Sequence, residues 1–158
     1  MPSTHLWSQT YASIEESDAV NESFRSDVRA PASARRAVEP LNKMLSETQV
    51  GMLGLLVSEV VANGVLYGDH ASRIYLRGDT RRGRVWIEVT NALNGSRPQA
   101  MAGDPQCIGL QLVQQMAADW GHQTDGRESR VWFELDPSII WRPVQLSSSS
   151  RPSGISHG

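Results

Sequence analysis

The sequence predicts an α+β two-layer sandwich, with a mixed, mainly antiparallel sheet and helices against one of its faces. Three observations carry that expectation. Helical periodicity fills the stretch from about residue 30 to residue 67, before any pair of strands. Two alternating segments rich in β-formers, Arg73–Arg77 and Arg84–Thr90, then follow each other closely enough to form a hairpin. After a further helix come more strand-like segments, without the regular βαβ alternation of a doubly wound parallel sheet.

The elements follow in order. Residues 1–22 are polar and mixed, anchored only by Trp7 and Tyr11, and read either as a tail or as an added edge strand. From Ala30 a helix is expected, with Pro31 in its first turn and Ala34, Ala37, Val38, Leu41 and Leu45 at helical spacing. Pro40 removes an N–H and should kink or split it. A second helix is expected from about Thr48 to Tyr67, stopping at Gly68. The segment Gly78-Asp-Thr-Arg-Arg-Gly83 reads as the hairpin connection. Residues 91–107 hold Gly95, Pro98, Gly103 and Pro105 with little periodicity, which describes a long loop of the kind more often functional than accidental. Gly109–Ala118 reads as a helix, and strands are expected around Trp120–Thr124 and Arg130–Leu135. Residues 138–158, ending SSSSRPSGISHG, have the composition of a disordered segment, which leaves 23–137 as the folded domain.

Composition narrows the function. The chain has 158 residues, 39% hydrophobic and 20% charged, with a formal net charge of −2. That is one domain's worth of an ordinary globular protein, and it gives no electrostatic support for direct nucleic-acid binding. A single cysteine, Cys107, excludes an internal disulfide and fits a reducing compartment. The N-terminal residues lack a basic region followed by an apolar stretch, and no uncharged apolar run approaches membrane-spanning length. A cytoplasmic location without membrane insertion is therefore expected. The four histidines are scattered without ligand spacing, so a zinc site is not expected, and the G-x-x-x-x-G-K-[ST] phosphate loop is absent.

Chemistry concentrates in three places. The stretch SEVVANGVLYG, residues 58–68, sets Glu59 and Asn63 one turn apart on an otherwise apolar helix. They lie about 40° apart around the helix, with Leu55 and Leu66 on one side and Leu56 and Val60 on the other. Either they form a narrow solvent stripe, or they line a polar cleft where a carboxylate acts as base and an amide holds a metal or water. Next, the strand Glu88-Val-Thr-Asn91 ends in an Asx residue before the Asn94-Gly95 turn. Finally, Cys107-Ile-Gly-Leu-Gln-Leu-Val113 opens a helix with a glycine, and free N–H groups at such a start favour phosphate. Cys107 itself reads as a redox-sensitive thiol or, more simply, as a small residue in a glycine's place. Trp86, Trp120 and Trp132 read as packing.

The S-E-x-x-x-N helix, the strand ending in an Asx residue, the loop and then G-L-x-L-V resemble the GHKL (histidine kinase-like) ATPase superfamily and its Bergerat fold. More narrowly, residues 24–136 resemble the small stand-alone bacterial anti-sigma-factor serine/threonine kinases. The segments that carry the likeness are Leu55–Gly68, Gly109–Gly121 and Val131–Leu135, with Phe24–Ala30 and Ala34–Ala37 at the opening. The resemblance implies ATP and Mg²⁺ as cofactors, Glu59 as general base and Asn63 as the Mg²⁺ ligand. It implies that Asn91 and Gly95 bind nucleotide, that 91–107 is a lid, and that the N–H groups of Gly109 and Leu110 face phosphate. It further implies an anti-anti-sigma antagonist or a sigma factor as partner, and a homodimer.

Departures from the pattern temper the activity. Asn91 stands where the family has aspartate, so the adenine amino group would meet a neutral acceptor, at a cost of about 1–2 kcal/mol. Cys107 stands where the family has glycine; Tyr67 stands where histidine is common; Glu128-Ser129-Arg130 occupies the region of a usual Lys or Thr. The alternative is a degenerate, non-catalytic regulator that sequesters a sigma factor or its antagonist.

Overall fold

The computed structural model describes residues 19–94 and 108–139. Gly95, Cys107, most of the 91–107 loop, residues 1–18 and the 140–158 segment lie outside the described residues. The order is β1 (Val20–Arg25), α1 (Ala30–Ala37), a 3-10 segment (Glu39–Met44), α2 (Glu47–Tyr67), β2 (Arg73–Arg81), β3 (Arg84–Ala92), α3 (Ile108–Met116), β4 (Asp119–Thr124) and β5 (Glu128–Leu135).

The five strands form one sheet in the order β1-β2-β3-β5-β4. Among the described residues every pairing is antiparallel, where a mixed sheet was expected. Strand β1 takes an edge position and runs across the boundary expected at residues 22 and 23.

Helix α1 ends at Ala37, and Pro40 lies in the 3-10 segment that follows, where its missing N–H is tolerated. Helix α2 starts with a complete capping box. The Gln49 N–H donates to Ser46 Oγ at 3.3 Å, and the Ser46 N–H donates to Gln49 Oε1 at 2.9 Å. The Gln49 amide also donates to the carbonyls of Pro137 and Ile139, tying the end of the described chain to this cap.

The core lies between the helices and one sheet face. Leu53, Leu56, Val57, Val60 and Val61 of α2 meet Ile74, Leu76, Ile87, Val89 and Phe133 of the sheet, all nearly inaccessible. By length and composition α2 could cross a bilayer, yet half of its apolar window is buried in this core.

The hairpin connection is shorter than the sequence indicated. Strands β2 and β3 pair as far as Arg81 and Arg84, leaving only Arg82 and Gly83 in the turn, at φ 52° and 75°. Two positive φ values in succession match the twist of an antiparallel pair. Gly78, read as part of the loop, lies inside β2 and faces the core, where a Cβ would come within 2.8 Å of Leu41 Cδ1. This glycine admits the 3-10 segment rather than turning the chain.

The outer face of the sheet is polar and aromatic. The Arg81 guanidinium lies 3.7 Å from the centre of the Trp86 ring. Glu88, nearly buried, sits between Arg77 at 3.4 Å and Arg130 at 3.9 Å. Trp132 covers Gly121 of the neighbouring strand. The packing role expected for Trp86 and Trp132 is what they have.

Candidate functional site

Sheet register creates the site. On the core face, Ile87, Phe133 and Trp120 form one row across β3, β5 and β4, and Val89, Val131 and His122 form the next. The row after that is Asn91, Ser129 and Thr124. The core face thus turns from apolar to polar at one end of the sheet, below the C-terminal half of α2. A small hollow, about 40 Å³, opens there. Val60, Val89, Leu110 and Val131 supply apolar walls, and Asn63, Asn91, His122, Thr124 and Ser129 supply polar groups.

Two glycines of α2 and its end let the pocket exist. A Cβ on Gly64 would lie 3.2 Å from Asn91 Oδ1. One on Gly68 would lie 2.7 Å from Asn91 Nδ2 and 3.0 Å from the Ala92 carbonyl. Gly68 has φ −86°, so it closes the helix without a left-handed turn. A Cβ there would meet first the Gly64 carbonyl oxygen of its own helix, and then β3, which bridges to Gly68 at Leu93.

Asn91 is buried, and its Nδ2 donates to the Ala92 carbonyl at 3.2 Å. That bond fixes which way the amide points, because the reverse orientation would set two oxygens against each other. Oδ1 is therefore the atom turned toward Gly64. The residue keeps an acceptor where a carboxylate would have offered one.

Glu59, Asn63, Gly109 and Leu110 come together. A Cβ on Gly109 would sit 3.0 Å from Asn63 Nδ2, 3.0 Å from Glu59 Cβ and 3.1 Å from the Glu59 carbonyl. The start of α3 therefore rests directly on the two polar residues of α2. Its first N–H groups lack intrahelical acceptors and carry the positive end of the helix dipole. Glu59 and Asn63 are half-buried, which rules out a simple solvent stripe. The apolar wall expected from Leu55 and Leu66 is not there: these residues are exposed, so Glu59 opens to solvent on that side.

Asn63 Nδ2 is buried with no hydrogen-bond partner among the described residues, a deficit of about 1–3 kcal/mol. An acceptor oxygen arriving at the start of α3 would offset it. Among the described residues no three His, Cys, Asp or Glu side chains cluster as metal ligands. A metal here would bind through few protein oxygens and largely through its ligand's phosphates, as Mg²⁺ commonly does. The Asn63 amide oxygen is a hard donor of the right kind, so the residues present fit Mg²⁺ held in that way.

Sequence reasoning missed His122, Thr124 and Ser129 as pocket residues and treated Tyr67 only as a tolerated change. His122 is half-buried, its Nε2 is 3.1 Å from Ser129 Oγ, and burial lowers its pKa from the usual 6.5. The alternation Trp120, His122, Thr124 was visible. That it faces Asn91 across β5 follows only from the register.

No family model matches this chain, and no curated protein matches it significantly.

Proposed function

We propose that this protein binds Mg-ATP and acts as a serine/threonine kinase of the anti-sigma-factor type, phosphorylating an anti-anti-sigma partner. What carries this reading is one juxtaposition. A small pocket bearing an acceptor at Asn91 adjoins a helix start, Gly109, that rests on a carboxylate and an amide. A purine in the pocket would set its phosphates toward α3, with Asn63 holding the metal. Mg²⁺ supplies charge neutralisation for the phosphates when bound. Glu59 would take the proton of the acceptor's hydroxyl, a role aided by its solvent-facing side, where a partner's serine or threonine can approach. The Bergerat arrangement, the cytoplasmic location and the homodimer belong to the same proposal.

The second reading, a non-catalytic regulator that sequesters a sigma factor or antagonist, draws on Asn91. Its neutral amide makes a weaker acceptor than a carboxylate. Calorimetric titration with ATP, with and without Mg²⁺, separates the two. Mg-dependent binding that Asn63→Ala loses supports the kinase reading. Absence of heat at millimolar ATP, restored by Asn91→Asp, supports the regulator.

A further inference from the structure

Helix α2 is more apolar than its share of the core requires, for only half of its apolar window is buried. Part of the remainder looks outward. At about 100° per residue, Gly51, Leu55, Glu59, Ala62 and Leu66 fall on one stripe about 80° wide. Leu55 is 38% exposed and Leu66 55%, Gly51 is exposed too, and Glu59 and Ala62 are half-buried. Glu59 is the only charge on the stripe.

Gly51 has no internal reason to be glycine. Gly54 needs to be one, because Arg35 crosses it with Cγ 3.2 Å from the place of a Cβ. Nothing among the described residues lies within 4 Å of a Cβ on Gly51. A glycine inside a helix weakens it relative to alanine, so this position lowers stability with no packing inside the chain to explain it. Beside it, between α2 and the segment that follows α1, opens a hollow of about 450 Å³. Val38, Val50 and Leu55 lie in its wall, with the charges of Arg35 and Glu39 at its edge.

We propose that this stripe is the docking face for the phosphoacceptor protein, whose serine or threonine reaches Glu59 between Leu55 and Leu66. The inference deepens the kinase reading above and rests on it. In the transfer, the hydroxyl oxygen bonds the γ-phosphorus, the bond to ADP breaks, and the hydroxyl proton passes to Glu59. The other flank of Glu59 is closed: Leu56 and Val60 are in the core, and Gly109 rests on the Glu59 Cβ and carbonyl. A hydroxyl arriving from solvent therefore comes over the stripe. A specific interface covers about 800 Å² on each partner, so the protein that delivers the hydroxyl also covers Leu55 and Leu66. The fit names the partner's chemistry. Gly51 lies about 12 Å along the helix from Glu59, so an apolar side chain that far from the hydroxyl enters the hollow.

The test places photo-crosslinking p-benzoylphenylalanine at Leu55 or at Leu66 of the full chain, irradiates the native cells and identifies the captured protein by mass spectrometry. That protein is then purified and given Mg-ATP with wild type, Gly51→Gln or Leu66→Gln. Both variants are neutral and exposed, and Gly51→Gln should raise the melting temperature, so a loss through unfolding would be visible. The expected result is one protein captured from both positions and phosphorylated on serine or threonine. Its KM should rise roughly fivefold or more in each variant, while the calorimetric Kd for Mg-ATP stays within about twofold. Capture of a second copy of this chain makes the stripe a self-interface and overturns the inference. No capture, a captured protein that is not phosphorylated, or an unchanged KM overturns it as well, and Mg-ATP binding then leaves the nucleotide site standing. Absence of Mg-ATP binding overturns both readings.

Discussion

Gly109 and Asn63 face each other across two helices so closely that a Cβ on the glycine would lie 3.0 Å from the amide nitrogen. That contact brings a helix start, with its unpaired N–H groups, onto the residues read as base and metal ligand. Any side chain at position 109 must push α3 away from α2.

Gly109→Ala is therefore expected to destabilise the domain by about 1–3 kcal/mol, because its Cβ also meets Glu59 backbone that cannot swing aside. Nucleotide affinity should fall further than stability alone explains. Urea unfolding and calorimetry on the same preparation check the two effects separately.

Glu59→Gln should leave Mg-ATP affinity within about threefold of wild type while lowering phosphoryl transfer about 10²- to 10⁴-fold, the usual range for removing a general base. Single-turnover transfer to the phosphorylatable partner measures it. A loss of binding equal to the loss of transfer would place Glu59 in nucleotide binding instead.

Gly121→Ala tests the outer face, far from the nucleotide. A Cβ there would come within 2.7 Å of Trp132 Cε2, so the indole must leave its seat over β4. Expected are a loss of about 1–3 kcal/mol and a red-shifted tryptophan emission, with any remaining folded protein binding ATP normally. An unshifted spectrum would mean that Trp132 packs elsewhere.

Stability should also depend on pH through His122. Its pKa is lowered from 6.5 in the folded chain, so the unfolded chain binds the proton more readily. Stability is then full above pH 6.5 and falls as the pH drops from there toward the folded value. Melting temperatures from pH 7.5 to 5 should fall more steeply for wild type than for His122→Gln. Equal slopes would show that His122 contributes nothing in this window.

Much of the fold could be read from periodicity. The strong apolar spacing of α2 and the alternation in β2 and β3 give elements that match the structure within a few residues at most ends. Glycine misled the reading at one position. Gly78 signalled a turn but serves a close approach by Leu41, whereas Gly68 ends α2 as read. Local sequence does not distinguish a glycine required by its own φ from one required by a distant neighbour. The same limit hid half of the pocket. Glu59, Asn63, Asn91, Gly109 and Leu110 sit in recognisable strings. His122 and Ser129 become pocket residues only because β4 pairs with β5 in one register and β5 with β3 in another. Those pairings are long-range facts that no single segment carries.

The most direct test of the central claim is to map where Mg-ATP binds, by following backbone amide resonances through a titration. The account predicts that the largest shifts fall on Gly64, Asn91, Leu110, Ser129 and Val131, around the pocket and the start of α3. Shifts confined to other surfaces, such as the Trp86 and Trp132 face, or no shifts at millimolar Mg-ATP, would contradict it.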